Sequence, residues 1–450
     1  MIKPYDKYRQ TKNIWYSEVP SHWLLSKIKY VAKTLAGGTP STDKSEYWDN
    51  GDIPWLPSGK LQNCDITTAE KFITEEGLNN SSTKWIKPNT TLIALTGATC
   101  ANIGFLKFKA CANQSVVAID EFAHKVNSRF LFYMLISMRK QILTHQSGGA
   151  QAGINDGDVR NLILAVPPLY EQLKIAQYLD HQTSIIDQLI QQKEKLIELL
   201  KEKRMAVINE AVTKGLNPNF KMKDSGIEWL GEVPVQWQIK KLKYLLEHCV
   251  NPLKTGPFGS QLKASDTIEN GEFVVYNQRN VLDNQFSEFK DKVSKEKFDS
   301  LAGFEVLEND ILITTRGTIG KAALVSNLTS RGILHPCLIK VRVNRDEILR
   351  EWLLMYINNS SYFLENVKLE SNSTTIEVIY GGTLSNVIIP VPPIENQRRI
   401  LSELEEIEEK YSDLIQGNLN AITLLKEYRH SIISEAVTGK IDVRNWQSNK

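Results

Sequence analysis

The side chains that most often carry catalysis are present in this 450-residue chain, but not at spacings that organise them. Its seven histidines form no HExxH or paired-ligand pattern, and no GxSxG frames a serine nucleophile. The run GTIGK at 317–321 is two residues too short between its glycines for a phosphate loop, and Ala322 follows the lysine where Ser or Thr would hold magnesium. Chemistry on an extruded base would want Asn or Asp ahead of a Pro-Pro-aromatic run. Asn251-Pro252-Leu253 is the nearest stretch and fails, and both VPP runs lack the leading Asn or Asp. Cys64, Cys100, Cys111, Cys249 and Cys337 are odd in number, scattered and free of any CxxC pair, which fits reduced thiols rather than a disulfide framework or a zinc site. No catalytic residue and no metal ligand is therefore assigned, and the sequence reads as one built to bind.

The elements that must position such binding groups are written twice. VPPLYEQ…EAVTKGL at 166–216 is repeated as VPPIENQ…EAVTGKI at 391–441 with a constant shift of 225 positions and no gap. EVPSHW and KIKY, beginning at Glu18 and Lys27, return as EVPVQW and KLKY at Glu232 and Lys241 with a shift of 214, and Trp15 and Trp229 match at the same shift. The second copy thus carries 11 more residues between two fixed ends. Inside each copy, short apolar runs such as TLIALTGATCA (91–101), ANQSVVAI (112–119) and ILITTRGTIGKAAL (311–324) alternate with Gly, Pro, Ser and Asp, as strands alternate with turns. Helical patterns are expected over 128–143 and 348–367, exposed polar loops over 147–158 and 371–375, and strands over 162–166 and 386–391. Matched Trp23 and Trp237 are expected as core anchors, and the Pro-Pro pairs as strand-to-helix joints.

After each Pro-Pro the chain runs about forty residues without proline, with apolar side chains at three-and-four spacing. Such helices would each be ~60 Å long, more than a domain needs for itself. An apolar stripe of that length must be covered, so the two copies are expected to pair antiparallel through Ile186, Leu189, Ile197, Leu200 and Val207 on one helix and Tyr411, Leu414, Ile422, Leu425 and Ile432 on the other. The expected class is α/β (α+β): a pseudo-two-fold tandem repeat of two mixed domains, at 1–168 and 216–393, with long helices at 169–215 and 394–438 and a tail at 439–450. The net charge is +2; the helices contribute −4, which leaves about +6 on the domains and is compatible with a phosphate-facing surface. MIKPYDKYRQTKNIW has no signal-peptide core, and the longest apolar run, 130–136, is far short of the ~20 residues that span a bilayer. A soluble, cytoplasmic protein without membrane contact is expected.

Taken together, EVPSHW and EVPVQW, GGTPS with YW and GDIPW (37–55), GPFGS (256–260), TRGTIGKAA (315–323), Glu171-Gln172 and Asn396-Gln397, and EAVTKG/EAVTGK make the whole chain resemble the specificity (S) subunit of type I restriction-modification systems. The resemblance implies two target-recognition domains that read a split double-stranded DNA site, one half each. It implies helices that set the gap between the halves and dock two methyltransferase subunits, with restriction/translocase (motor) subunits joining them. It implies no cofactor in this chain: S-adenosylmethionine would belong to the methyltransferase, which modifies adenine N6, and ATP and magnesium to the motor subunit.

Base readout calls for donors and acceptors on rigidly held loops, with Arg matched to guanine and Asn or Gln to adenine. The candidates are Thr96, Thr99, Asn102, Asn113, Gln114, Ser147 and Gln151 in the first unit, and Gln278, Arg279, Asn280, Thr315, Arg316, Thr318 and Lys321 in the second. Thr96, Thr99 and Thr318 could equally serve as turn caps, whereas Arg279, Arg316 and Lys321 can contact phosphate even where they read no base. The rival reading is a stand-alone DNA-binding or scaffold protein with no methyltransferase; a methyltransferase gene with an NPPF-type motif beside this one would discriminate between them.

Overall fold

The apolar run TTLIA forms the strand Thr90–Ala94, and its two-residue period sends alternate side chains into two different cores. Leu92 and Ala94 pack with Val116, Ala118 and Leu106, while Ile93 joins Val117, Ile119 and the helix Ser128–Ser137 on the other face. A sheet covered on both faces needs continuous apolar strands, which is why this stretch reads as a run rather than an alternation. The computed structural model, which describes residues 3–121, 125–147, 152–326, 328–371 and 378–447, divides into two compact units. Unit one is Met1–Glu194 with Leu419–Lys450, and unit two is Lys195–Asn418.

In unit one the main sheet has strands in the order Ala32–Ala36, Val116–Glu121, Thr90–Ala94, Ile103–Leu106 and Cys64–Ile66. A three-stranded sheet sets Ile53–Leu56 between Cys111–Ala112 and Lys71–Ile73. Two hairpin-like pairs, Tyr8–Gln10 with Glu18–Pro20 and Leu24–Lys27 with Ile163–Val166, close the unit. Unit two repeats the plan. Its main sheet runs Leu253–Thr255, Leu338–Val341, Ile311–Thr314, Ala322–Leu324, its three-stranded sheet sets Phe273–Tyr276 between Lys292–Val293 and Gly332–Leu334, and the two pairs recur as Met222–Asp224 with Glu232–Pro234 and Gln238–Lys241 with Ile388–Val391. Trp23 and Trp237 are both fully buried.

The helical pattern over 128–143 is interrupted at Met138, giving Ser128–Ser137 and Arg139–Leu143. That over 348–367 is interrupted at Ser360, giving Arg350–Asn359 and Ser361–Ser371. The second break is held from outside the segment, because Asn209 Oδ1 accepts hydrogen bonds from both Ser360 Oγ and the Ser361 amide at 3.0 Å. At its described positions the loop expected over 147–158 is more ordered than its composition suggests. Ser147 bridges to Gly153, and Asn155 caps the helix Asp156–Asn161 with a reciprocal capping box. Positions 148–151 and 372–375 of the two expected loops lie outside the described residues.

The long helices span Leu169–Lys214 and Ile394–Val437. In unit one their segments run antiparallel: Tyr178 meets Trp446, just past the second helix, with ring centroids 5.3 Å apart, and Asp187 accepts from Arg429 Nε at 2.9 Å. In unit two Leu200, Lys203 and Val207 face Ile407, Lys410, Tyr411 and Leu414, and Arg204 approaches Glu408 at 3.6 Å. Arg204 and Arg429 hold equivalent places in the two copies, so each cation reaches an acid on the facing helix. Ile186, Ile197, Ile422 and Ile432 are buried, and Leu200, Val207, Tyr411 and Leu425 are half-buried. Leu189 and Leu414, expected in the stripe, are instead 41% and 45% exposed. In the first helix the neighbour Ile190 packs against the unit-one core instead, because one residue turns a helix by about 100°, whereas Leu414 still lines the unit-two cleft with Tyr411 despite its exposure.

Each long helix is fastened to its domain by one buried glutamine. Gln172 Oε1 accepts the Asn127 amide at 2.7 Å, while Nε2 donates to the carbonyls of Lys125 (3.1 Å) and Pro167 (2.9 Å). Gln397 does the same with the Leu349 amide (2.8 Å) and the carbonyls of Glu347 (3.2 Å) and Pro392 (2.8 Å). Asn127 and Leu349 are the residues that open the helices Ser128–Ser137 and Arg350–Asn359, so the amide ties two helix starts together. Replacing either glutamine by leucine leaves an amide and two carbonyls buried without these partners, a loss of about 1–3 kcal/mol. We therefore expect Gln172→Leu and Gln397→Leu each to lower the urea midpoint of the full chain; a midpoint equal to that of the parent would show that the buried amide contributes nothing.

Candidate nucleic-acid interface

Both units build the same loop cluster at the end of the central strand. In unit one the Leu95 amide donates to the Ser115 carbonyl (2.8 Å), Leu95 accepts from the Ile154 amide (2.9 Å), and the Gly37 amide donates to Val116 (2.9 Å). In unit two the same three bonds join Thr315 to Cys337 (2.9 Å), Ile379 to Thr315 (3.0 Å) and Gly256 to Leu338 (2.9 Å). The next residue is bridged in each case, Thr96 to Gly153 and Arg316 to Val378, and the glycine after it, Gly97 or Gly317, has φ = +66° in both. That left-handed backbone is what glycine alone adopts without strain. Gly37 and Gly256 are fixed by close approach: a Cβ on either would lie 2.1 Å from the carbonyl oxygen of Asn113 or His335. The scaffold is common to both units, and the side chains it presents differ.

In unit one the cluster gathers Thr96, Thr99, Asn113, Gln114 and Ser147. Gln114 is exposed, and its Oε1 accepts the hydroxyl of Thr39, which orients the amide. Among the described residues, the buried Asn113 Oδ1 has no hydrogen-bond partner. Thr99 Oγ1 turns back to the Thr96 carbonyl at 3.3 Å, as a turn cap would. Asn102 is spent on the scaffold, with Nδ2 donating to Leu61 (2.9 Å) and Oδ1 accepting from Arg139 (2.5 Å). Gln151 lies outside the described residues.

In unit two Arg316 and Thr318 are exposed, and Gln278 Nε2 donates to the Thr318 carbonyl at 3.3 Å, joining the helix Gln278–Leu282 to the glycine turn. Arg279 is exposed but engaged by Asp283 at 3.1 Å, and Lys321 Nζ is 3.4 Å from the Asn358 carbonyl. Asn280 and Thr315 do not reach the surface. The Asn280 side chain caps its own helix and holds the Gln285 and Glu288 carbonyls, and Thr315 is buried in the strand-end pairing. Two residues absent from the sequence-based set, Thr39 and His335, belong to the cluster. Their only sequence signal was their place beside the glycines of GGTPS and in LHPC.

His335 is half-buried, and its Nδ1 accepts the Cys337 amide at 3.1 Å, which leaves Nε2 to carry the proton of the neutral ring. Burial lowers its pKa below the ordinary histidine value, only partly opposed by Asp291. The cluster thus offers neutral and cationic donors on a rigid frame, the equipment of recognition. A groove of unit one, lined among others by Asp65, Arg129, Tyr133 and Asp180, is a different kind of site. Its Arg129 guanidinium is consumed by ion pairs to Asp65 and Asp180 and lies 4.7 Å from the Phe105 and Phe132 ring centres. Among the described residues no group of three or more His, Cys, Asp or Glu is placed to hold a metal ion, and no helix is long and apolar enough to cross a membrane.

The profile of the type I restriction modification DNA specificity domain matches this chain twice, over residues 20–199 and 234–424. The specificity subunit of the MjaVIII type I restriction enzyme of Methanocaldococcus jannaschii is 24% identical over 453 residues, 99% of each chain. That of the EcoKI enzyme of Escherichia coli K12 is 22% identical over 453 residues, 96% of this chain and 91% of its own. Among solved structures, a chain of a type I R-M system studied for complex assembly and conformational transition superposes with a TM-score of 0.70 at 18% identity, over 94% of this chain and 99% of its own. The HsdS subunit from Thermoanaerobacter tengcongensis gives 0.53 at 17% identity, over 94% and 98%. At these identities the structural likeness is one of fold.

The depressed pKa of His335 sets a pH dependence. The unfolded chain takes up its proton near the ordinary value of 6.5, and the folded chain only below it. This contribution to stability is complete above about pH 6.5 and declines as the pH falls through and below that value. The thermal midpoint should drop on acidification across this window, and His335→Gln should flatten that part of the profile; an unchanged slope would remove His335 as its source.

Proposed function

Because this chain belongs to the type I restriction-modification DNA specificity family, we propose that it is the subunit that selects the DNA sequence, reading a bipartite double-stranded site with one loop cluster per half. The observation that carries this reading is the pair of clusters itself: equivalent backbone hydrogen bonds in the two units, with Thr96, Asn113 and Gln114 on one and Arg316, Thr318 and His335 on the other. A recognition device needs a constant frame and a variable face, and duplication supplies both. Arg316 extends from the bridged position beside Gly317, where a guanidinium can meet guanine or phosphate.

The chain itself does no chemistry in this reading. Methyl transfer to adenine N6 belongs to two methyltransferase subunits that carry S-adenosylmethionine, and ATP and magnesium to restriction/translocase subunits that join them in the cytoplasm. Support for docking on the helices comes from apolar side chains left in water at equivalent places in both copies. Leu189 and Leu414 are exposed as given above, and Leu199 and Leu424 are 51% and 64% exposed. Exposed leucines retained at matched positions on both helices fit two like partners rather than one.

Two outcomes test this. Arg316→Ala should weaken binding to the cognate duplex by about 1–3 kcal/mol in titrations at fixed salt, and unchanged affinity would remove Arg316 from the interface. Exchanging residues 37–165 for the matching region of a relative should alter one half of the methylated motif in the host genome and leave the other half intact. Methylome sequencing that shows both halves altered would refute the modular reading.

A further inference from the structure

The ring of Phe258 stands 80% exposed on the second-unit loop, although Gly256 and Pro257 immediately before it are buried. The loop is not slack. The Phe258 amide donates to Gln261 Oε1 at 3.0 Å, and its carbonyl accepts the amides of Gln261 (2.8 Å) and Leu262 (3.3 Å), with Leu262 buried beneath. At its base, Gly256 is pressed against the His335 carbonyl and bonded to Leu338, two of the contacts that define the loop cluster. A large apolar group held out by a frame this rigid is positioned rather than merely left over. Exposed Lys263 follows five residues on, and exposed Arg316 belongs to the loop cluster that Gly256 anchors. The first unit places a different chemistry in this slot. Counting from the matched glycines Gly37 and Gly256, the counterpart of Phe258 is Thr39, whose hydroxyl is given to Gln114.

We propose that Phe258 makes an apolar contact with a nucleobase in the half-site read by unit two, where unit one presents the Thr39–Gln114 hydrogen-bonding pair. This rests on the DNA-selecting function proposed above. A benzyl side chain held out beside the cluster assigned to DNA suits a base edge or face lying between phosphates, since the apolar surface of DNA is found only there. The contact gives the two halves different grammars at one structural position, hydrogen bonding in one and shape in the other.

The test uses the full chain purified with its co-expressed methyltransferase subunits and a duplex carrying the motif mapped by methylome sequencing. Phe258→Ala should lower affinity for that duplex roughly tenfold, the scale of one base contact, with the salt dependence of binding unchanged because no phosphate contact is lost. Phe258→Leu, which keeps an apolar group on the loop, should recover part of the loss. Replacing thymines of that half-site by deoxyuridine, or placing 2-aminopurine at each step, tells whether a methyl group or a base face receives the ring. Affinity of Phe258→Ala within twofold of the parent overturns the proposal, as does an equal loss on non-cognate DNA. Loss of the co-purified subunits with DNA affinity retained by the remaining chain would assign the ring to a protein contact and overturn it too. Failure of the unsubstituted complex to prefer the mapped motif would fail the DNA reading as a whole, a result separate from any effect of Phe258.

Discussion

A glutamine amide with no access to water is the constraint on which each half of this molecule depends. Gln172 and Gln397 sit in the first turn of the long helices, fully buried, each accepting one backbone amide and donating to two backbone carbonyls of its own domain. An amide in that position is stable only when its partners arrive in the right geometry, since a buried polar group without them costs more than the bond is worth. Hydrophobic packing would allow the helix to slide or rotate by a fraction of a turn. Three directed hydrogen bonds forbid it, and so fix the helix axis relative to the sheet that carries the loop cluster.

Around that common lock the two copies have diverged unevenly. In unit one the residue before the glutamine is Glu171, a fully buried carboxylate that accepts from Tyr5 (3.0 Å), Trp23 (3.0 Å) and Tyr170 (3.1 Å) and contacts His22 (2.7 Å). In unit two it is Asn396, and the buried indole nitrogen of Trp237 has no hydrogen-bond partner among the described residues. Unit one also takes in the chain's end. The Asp442 amide donates to the Lys3 carbonyl (2.8 Å), Tyr8 donates to Gly439 (2.8 Å), and Arg444 lies 5.0 Å from the Tyr5 ring centre. Unit one is therefore assembled from both ends of the sequence, and the extra polar bonds join what the peptide chain does not.

The strands and helices that were legible from sequence are those whose signal is periodic. TLIAL and ILIT are apolar runs because both faces of their strands are covered, and the spacing of Ile186, Ile197, Ile422 and Ile432 follows the helix turn. The pattern did not separate Leu189 from Ile190, because two adjacent apolar residues satisfy a three-and-four repeat equally well. The candidate loops were found by their glycines, which mark the φ = +66° turns at Gly97 and Gly317. Within them the direction of each side chain was not legible. Asn102 resembles Gln114 as a residue type, yet the first is clasped by Leu61 and Arg139 and the second reaches solvent.

What the sequence determined by itself was the duplication, the class of fold and the places where the chain must turn, because these follow from local covalent geometry and from repeats that need no knowledge of contacts. What only the tertiary structure decided was which polar groups are already spent. Thr315 pairs with residues 337 and 379, Gly256 with 338, and Arg129 with Asp65 and Asp180. Partners that far along the chain are chosen by the packed fold. A hydrogen-bonding side chain is free to read DNA only when none of them has claimed it.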